Sequence, residues 1–168
     1  MVLTKEVIKR EIKEGKIKVK PYRAKNLGDA SLDICLDDEF WVFGKNKNIT
    51  LNNKTDYKKY TKKIKAKAIT LMPGAFVLGM SEEKISLPDN ICGLLSGRSR
   101  FARMGIVVHA TAFVVHPGVK NRQMFEIKNM SNNTLTLKKG LRIAQLVFIR
   151  TEGKSKYKGR YKYSKIFG

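Results

Sequence analysis

Apolar residues recur at helical spacing only near the start of the chain. Ile8 and Ile12 share one face of a helix, with Thr4 as a candidate N-cap and Gly15 placed to end the helix. Leu3 precedes the N-cap and could pack on Ile8 as a hydrophobic staple. The pattern predicts one short amphipathic helix that ends at Gly15.

Short runs of β-forming residues make up most of the remaining chain. They are separated by Asp, Asn, Pro or Gly, which is typical of strands joined by turns. The predicted strands cover residues 31–35, 39–43, 67–71, 75–81, 85–87, 106–110, 112–116, 123–129, 134–137 and 141–150. Strands at this even spacing predict an all-β fold, either a sandwich, a jelly roll or a barrel. The run 141–149 is apolar on both faces, which indicates a strand in the centre of the core.

Three segments interrupt the strand pattern. Residues 45–65 are polar and rich in Asn and Lys, which predicts a long mobile loop between strands. Residues 99–104 are a candidate for one or two helical turns, closed by Gly105. Residues 151–168 are basic and aromatic, so this tail either stays disordered or docks on another surface. With no repeat and no second core in the pattern, residues 1–168 are expected to form a single domain.

Composition narrows the class of protein. The chain has 168 residues, of which 42% are apolar, enough for one core and too many for global disorder. The longest apolar runs are too short to span a bilayer, and residues 1–16 are charged throughout, unlike a signal peptide. These features predict a soluble, cytoplasmic protein. Cys35 and Cys92 belong to no Cys/His cluster, which argues against zinc and for buried free thiols.

The net charge of +21 is open to three interpretations. Clustered cations would favour nucleic acid, and a positive field would attract a polyanionic substrate such as a nucleoside triphosphate. The third interpretation is a lysine-rich, solvated surface with no partner. The lysines are spread along the chain, with concentrations at 58–67 and 154–165, and this spread favours the third interpretation over nucleic acid.

Several short blocks stand in an order typical of one enzyme family. They are ASLD at 30–33, MPG at 72–74, LPDNICG at 87–93, GRSRFARMG at 97–105, HATA at 109–112, HPG at 116–118, Glu126, GLRIAQLVF at 140–148 and YKGRY at 157–161. They cover nearly the whole chain apart from residues 45–65, and the chain resembles the dCTP deaminase family of the dCTP deaminase/dUTPase superfamily. The likeness is greatest to archaeal members, some of which are bifunctional deaminase–diphosphatases. The resemblance implies a distorted β-barrel or jelly-roll subunit, a homotrimer with active sites between subunits, and a deoxynucleoside triphosphate carried with Mg²⁺.

The block at 97–105 predicts a phosphate-binding turn. A glycine that leads into a helix exposes backbone N–H groups, and Arg98 and Ser99 add a guanidinium fork and a hydroxyl. The resemblance places both on the triphosphate, whereas the alternative is an ordinary capped turn with surface arginines. Arg100 replaces a small polar residue usual in the family and either adds a phosphate contact or points to solvent. Arg103 follows Ser99 on the same helical face, and in the deaminases the matching arginine supports the catalytic glutamate.

Glu126 is the strongest candidate for catalysis. It lies in a predicted strand on the face opposite Phe125 and Ile127, where a carboxylate is costly unless it is paired or used. Deamination of cytosine needs water to attack C4 while protons move to N3 and to the departing amine, and one carboxylate can carry them. The His-x-Glu and Pro-Cys-x-x-Cys signature of zinc deaminases is absent. The sequence favours a metal-free reaction at the base; the alternative is an outward strand Glu paired with a lysine.

Other candidates rest on the resemblance. Ala112 belongs to the segment whose backbone reads the pyrimidine edge in the family, and Gln145 matches a glutamine that touches phosphate. His109 precedes this segment and either belongs to a loop that moves between active and inhibited forms or is a buried, hydrogen-bonded histidine. The C-terminal block resembles a flap over the nucleotide. The candidate contacts of the flap are Tyr157, Arg160 and Tyr161.

His116 is the main departure from the family, which usually has Asp before Pro-Gly. In the dUTPases that Asp contacts the deoxyribose and helps to activate the water that attacks the phosphate. An imidazole can still bind a sugar hydroxyl, but it does not reproduce a fixed negative charge. Val119 and Asn121 also replace an aromatic residue and a glycine that are common in the family. These departures bear on diphosphate cleavage more than on deamination.

The sequence therefore predicts a hydrolase that converts dCTP to dUTP and ammonia, and that continues to dUMP if the second activity is retained. Two alternatives on the same scaffold stay open, a dUTP diphosphatase and a non-catalytic nucleotide-binding paralogue. A nucleic-acid-binding module is supported by the charge alone.

Overall fold

The N-terminal helix forms where the sequence predicts it. The computed structural model describes residues 1–44, 48–109 and 111–159. Helix α1 spans Lys5–Lys13, with Thr4 as its N-cap residue. Gly15 follows in the left-handed region at φ 71°, which a glycine adopts without strain. Leu3 and Ile8 are both buried, so the apolar face of α1 packs on the core.

Eleven strands dominate the described part of the chain, which confirms the predicted all-β class. They are β1 Lys18–Lys20, β2 Ser31–Phe43, β3 Thr61–Lys65, β4 Ala68–Leu71, β5 Phe76–Ser86, β6 Ile91–Gly97, β7 Ile106–Val108, β8 Val114–Val115, β9 Lys120–Asn129, β10 Leu135–Lys138 and β11 Arg142–Arg150. A short helix α2, Ser99–Ala102, joins β6 to β7. Two 3-10 turns lie at Ala24–Asn26 and Tyr57–Lys59.

Nine strands form one curled antiparallel sheet. Its order is β7-β9-β5-β2-β11-β6-β8, with β1 added on β5 and β3 added on β2, while β10 and β4 form a separate pair. Strand β11 lies between β2 and β6, as its two apolar faces predict. Phe40, Phe125 and Phe148 are completely buried and anchor the core inside the curl.

Two pairs of predicted strands are in fact single long strands with irregularities. The predicted runs 31–35 and 39–43 merge in β2, whose register shifts between Leu36 and Phe40. The runs 75–81 and 85–87 merge in β5 in the same way. At the irregularity in β5, the Ser81 hydroxyl donates to the Glu83 carbonyl at 2.7 Å and accepts from the Gln123 N–H at 2.8 Å. These bonds replace the lost ladder contacts, so the strand can continue.

The predicted loop 45–65 was wrong at its C-terminal end. Residues Thr61–Lys65 form strand β3, which pairs with β2 at the sheet edge. Lysines are tolerated there because an edge strand keeps one side in water, and only Thr61 and Ile64 are partly buried. Residues 45–47 lie outside the described part of the chain.

Strands β1 and β6 were missed, and two predicted strands are shorter than expected. Gly93 interrupts the apolar pattern of β6, yet a Cβ at this position would stand 2.6 Å from the Leu146 side chain. The glycine therefore permits close packing in the core rather than a turn. The runs 106–110 and 112–116 shrink to β7 and β8 because His109 leaves the strand conformation at φ 60°.

The tail docks on the body as far as it is described. The Ser155 N–H donates to the Asp89 carbonyl at 2.7 Å, and the Tyr157 N–H donates to the Pro117 carbonyl at 2.9 Å. The two cysteines are free thiols; Cys35 is buried, but Cys92 is only partly so. Within the described ranges, α1 and α2 lack the length and apolar character of a membrane-crossing helix.

Candidate functional site

Strand β9 presents Glu126 on the face of the sheet that points away from the main core. Its neighbours Phe125 and Ile127 are fully buried on the other face, as the alternation of the sequence predicts. Glu126 is half-buried and lies directly opposite Leu78 of β5. A carboxylate is thus held on an ordered strand with one side open to a cavity.

The chain after β7 folds back over Glu126. The Thr111 hydroxyl donates to Glu126 Oε2 at 2.9 Å, and the His109 N–H donates to the Glu126 carbonyl at 3.0 Å. His109 needs its left-handed backbone to make this turn, and its ring packs edge-on against Phe125 at 6.1 Å. Thr111 was not identified from the sequence, because its partner lies fifteen residues away and only the turn brings them together.

Burial shapes the protonation state of His109. Removal from water lowers the pKa of its imidazole below the usual value, and the nearby Glu126 carboxylate opposes this shift. Its Nδ1 is buried and has no hydrogen-bond partner among the described residues. The lowered pKa favours the neutral form of the imidazole beside Glu126.

A cavity of about 750 Å³ opens in front of Glu126. Its size is within the range of ligand pockets for small molecules. Of the residues predicted for the site, the cavity brings together Glu126, Ala112, His116 and Tyr157. Its other lining residues, which were not predicted as contacts, include Phe43, Tyr57, Phe76, Leu78, Val114, Val115, Asn121, Arg122, Gln123 and Met124.

His116 and Tyr157 close one side of the cavity. Their rings are stacked with centroids 5.0 Å apart and planes 6° from parallel. Gly118, at φ 75°, lies against the backbone of Lys156 in the same contact. The residue that departs from the family pattern therefore holds the tail over the cavity. Arg160 and Tyr161, predicted as further tail contacts, lie outside the described residues.

Arg122 lines the cavity and links strands β2, β5 and β9 through its polar contacts. Its guanidinium donates to Glu39 Oε1 at 2.6 Å and to the Ser81 carbonyl at 2.6 Å, and it forms an ion pair with Asp37. Burial alone would raise the pKa of Asp37, but hydrogen bonds, above all from Lys139, hold the pKa below its usual value. The consecutive acids at 37–39 were the only sequence signal for this network.

Among the residues that the structure describes, two clusters group enough ligand atoms for a metal ion, but each already holds cationic side chains. Oxygens of Asp37, Asp38 and Glu39 lie within 4.8 Å of one another, and their counter-charges come from Arg122 and two lysines. Cys35, Glu82 and Glu83 form the second cluster, with Arg23 paired to both carboxylates. Burial raises the pKa of the Cys35 thiol to about 11, which disfavours the thiolate that a metal would need.

The predicted phosphate turn is a second, separate group of residues. Arg98 is the N-cap residue of α2, and its Nε donates to Asp33 Oδ1 at 3.0 Å. Ser99, Arg100 and Arg103 are exposed on α2 and just after it. Gln145 is half-buried on β11, directly opposite Asp33 of β2 and Ser96 of β6.

The structure does not join these two groups within one chain. As far as the chain is described, the residues that line the Glu126 cavity include none of the turn. The predicted residues that fall outside the cavity are Arg98, Ser99, Arg100, Arg103 and Gln145. A ligand held in the cavity by this chain would therefore lack the cations of its own phosphate turn.

Known proteins share both the sequence and the fold. A profile of the family described as dCTP deaminase-like matches residues 2–151. The dUMP-forming dCTP deaminases of Beutenbergia cavernae and Nocardioides sp. are 31% and 32% identical, over 89% and 96% of this chain and 80% and 90% of the relatives. The 2'-deoxycytidine 5'-triphosphate deaminase structure from Agrobacterium tumefaciens superposes with a TM-score of 0.69 at 16% identity over 88% of this chain, which indicates the same fold. This chain spans about half of that longer protein, 47% of its length.

Proposed function

The chain belongs to the dCTP deaminase-like family, and we propose that it hydrolyses dCTP to dUTP and ammonia and continues to dUMP. The proposal is carried by the position of Glu126 on β9. Its carboxylate accepts a hydrogen bond from the Thr111 hydroxyl and faces a cavity of about 750 Å³. The proposed activity is that of a hydrolase acting on the C–N bond of a cyclic amidine. The domain is proposed to comprise residues 1–168, with residues 151–168 as a flap.

Glu126 is the general acid/base of the proposed deamination. It takes a proton from water as the oxygen attacks C4 of cytosine, and it passes this proton to N3. After the tetrahedral intermediate forms, the carboxylate carries the second water-derived proton to the exocyclic nitrogen, which leaves as ammonia. Thr111 fixes one carboxylate oxygen, so the other is left to face the water. No step at the base requires a metal.

The phosphate grip is proposed to come from the turn after β6. Arg98 and Ser99 offer charge-assisted and hydroxyl hydrogen bonds, and Gln145 of β11 lies opposite Ser96, just before them in the chain. Arg103 is proposed to support the glutamate and its water. Because these residues stand apart from the Glu126 cavity in one chain, the proposal includes a homotrimer in which one copy supplies Glu126 and the neighbour supplies the turn.

Mg²⁺ is proposed to arrive with the triphosphate rather than in a site of the protein. The acidic clusters of the described chain are neutralised by arginine and lysine side chains, as described above. Mg²⁺ bound to the triphosphate would lower the negative charge that the arginines must meet. The chain's own contribution is to bind and orient the phosphates.

Cleavage of dUTP to dUMP is supported by relatives that are named as dUMP-forming. The residues of this chain support this step less than they support deamination. His116 occupies the position of the usual Asp and is stacked on Tyr157. A neutral imidazole can accept a hydrogen bond from a sugar hydroxyl or from water, which preserves part of the role of the carboxylate. We therefore propose a slower diphosphate step than deamination.

Product analysis tests the proposal. The protein is incubated with Mg²⁺ and either dCTP or dUTP, and ammonia, dUTP, dUMP and pyrophosphate are quantified. Ammonia from dCTP, with dUMP as the final product of both substrates, is the expected result. Pyrophosphate from dUTP without ammonia from dCTP would instead identify a dUTP diphosphatase, and tight binding without turnover would identify a non-catalytic paralogue.

A further inference from the structure

A row of cross-strand neighbours leads from Glu126 to an aromatic wall made of Trp41, Tyr57 and Phe43. Strands β2, β5 and β9 are adjacent, and Trp41 pairs with Leu78, which pairs with Glu126. Directly opposed residues of antiparallel strands point to the same face. With strands about 4.8 Å apart, Trp41 stands roughly 10 Å from Glu126 along this row.

Tyr57 covers the far end of the row. Its ring meets Trp41 edge-on, with centroids 6.4 Å apart and planes at 80°. Trp41, Leu78 and Met80 form a small buried cluster apart from the main core, against which Tyr57, Phe43 and Met124 pack. Tyr57, Phe43, Leu78 and Met124 also line the cavity that Glu126 faces. Tyr57, which lies outside the family-like blocks, therefore forms part of the wall of this cavity.

The backbone holds Tyr57 at a defined place. The Tyr57 carbonyl accepts from the Thr61 hydroxyl at 3.0 Å, and the Lys58 N–H donates to the Asp56 side chain at 3.1 Å, which caps the turn. The Tyr60 carbonyl accepts from the Gly44 N–H at 3.2 Å, which ties the turn to the end of β2. The 3-10 turn Tyr57–Lys59 is thus fastened to both β2 and β3.

Glu126 and Thr111 give the cavity a polar group, and Leu78 and Tyr57 add apolar lining along the row that starts at Glu126. Cytosine is divided in the same way, since N3 and the C4 amine form a polar edge and C5 and C6 a non-polar edge. Attack at C4 requires the polar edge to face Glu126. The neighbouring C5 then points along the row toward Leu78 and the aromatic wall, where a polar group would lose its hydration.

We infer that Tyr57 is a specificity-determining residue that faces the C5–C6 edge of the pyrimidine and limits the size of a substituent at C5. The inference rests on the proposed function and deepens it by defining which cytosine nucleotides the cavity accepts. Tyr57 acts by packing, while the chemistry stays with Glu126. Truncation of its ring would open space at C5 without removing any group that moves a proton.

The test compares dCTP with 5-iodo-dCTP on Tyr57→Ala, Tyr57→Leu and the matched control Tyr60→Ala. Tyr60 belongs to the same turn but is not a lining residue of the cavity. In Tyr57→Ala, the ratio of kcat/KM for 5-iodo-dCTP over dCTP is expected to rise about 10-fold, the scale of a change in apolar pocket contacts. The KM for dCTP should rise more than kcat falls. Tyr57→Leu should show a smaller rise in the ratio, and Tyr60→Ala none.

Binding measurements separate this inference from the proposed function. Wild-type protein that releases no ammonia from dCTP would contradict the proposed deamination, and the ratio of the dissociation constants of the two nucleotides would then test Tyr57 directly. An unchanged preference in both Tyr57 variants, or an equal change in Tyr60→Ala, would overturn the inference. Should Tyr57→Ala fail to fold, Tyr57→Leu retains apolar bulk against Trp41 and supplies the comparison.

Discussion

The Glu126 cavity and the Arg98 turn, proposed for catalysis and for phosphate capture, have opposite surroundings. The cavity is partly closed, its carboxylate is fixed by a neutral hydroxyl, and a half-buried histidine lies beside it. The turn is largely exposed, and its cationic side chains extend from a four-residue helix. A proton carrier gains from a site that limits water, whereas cations that capture a triphosphate act over distance from an open surface. If the proposed roles hold, the separation of the two regions in one chain predicts that catalysis and capture can be disabled independently.

Glu126→Gln should have the largest effect. The amide keeps the shape and the hydrogen bond from Thr111 but cannot accept a proton, so deamination should fall by about 10²- to 10⁴-fold. The Kd for dCTP should stay within a few-fold of wild type, because the turn is untouched. Ammonia release and equilibrium nucleotide binding are the measurements.

Glu6→Gln provides the matched control for this carboxylate. Glu6 is exposed on α1, so the same change of charge there should leave both rate and affinity unaltered. Retention of the full deamination rate in Glu126→Gln would contradict the proposed mechanism outright.

Mixing two inactive variants tests whether the two regions meet across a subunit boundary. Glu126→Gln keeps its turn, and Arg103→Ala keeps its cavity. If sites lie between neighbouring copies of a homotrimer, random reassembly of equal amounts should rebuild about a quarter of the sites with both groups intact. Activity would then rise far above that of either variant alone. A mixture that stays as inactive as its components after subunit exchange would place both groups on the same chain.

Arg98→Met should weaken capture without stopping the chemistry. Loss of a charge-assisted phosphate contact of about 1.5–3 kcal/mol corresponds to roughly a 10- to 100-fold rise in KM for dCTP. Asp33 keeps a partner, since Arg142 Nη1 lies 3.3 Å from its Oδ2, so the fold should tolerate the change. Steady-state kinetics at several salt concentrations give the measurement.

Arg10→Met on the exposed face of α1 removes the same charge far from the turn. Its effect on KM should be small and should disappear at higher salt, because it only alters the general field of the protein. An equal effect of both variants would show that Arg98 contributes no direct contact.

The sequence predicted what depends on local pattern and missed what depends on register. Alternation within one strand was enough to place Glu126 opposite Phe125. Arg122 and Asp37 are 85 residues apart, and only the irregular pairing of β2, β5 and β9 brings them together. Tyr57 was assigned to a mobile loop because the surrounding residues are rich in lysine. The lysine-rich residues that follow it form β3, which pairs with Trp41 and its neighbours in β2. Resemblance supplied candidate roles for the turn, and the fold places the turn apart from the Glu126 cavity of its own chain.

The smallest expected effect concerns His109 and the pH dependence of stability. Its pKa is lowered in the folded protein by burial, so the unfolded chain binds a proton more readily. Stability should therefore fall as the pH drops through the unfolded value of about 6.5, and the loss should level off below the folded pKa. One proton limits the slope to about 1.4 kcal/mol per pH unit. The free energy of unfolding, measured in denaturant between pH 8 and pH 5, gives this slope.

His109→Asn isolates the contribution of the imidazole from that of the many carboxylates. Asn tolerates the left-handed backbone of this position, so the turn over Glu126 should persist. The variant should lose part of the slope between pH 7 and pH 5 while matching wild type between pH 7 and pH 8, where His109 is neutral in both states. Identical slopes in the two proteins would mean that the histidine is as easily protonated when folded as when unfolded. The burial of the His109 imidazole next to Glu126, in contrast to the exposed Arg98 turn, would then not lower its pKa.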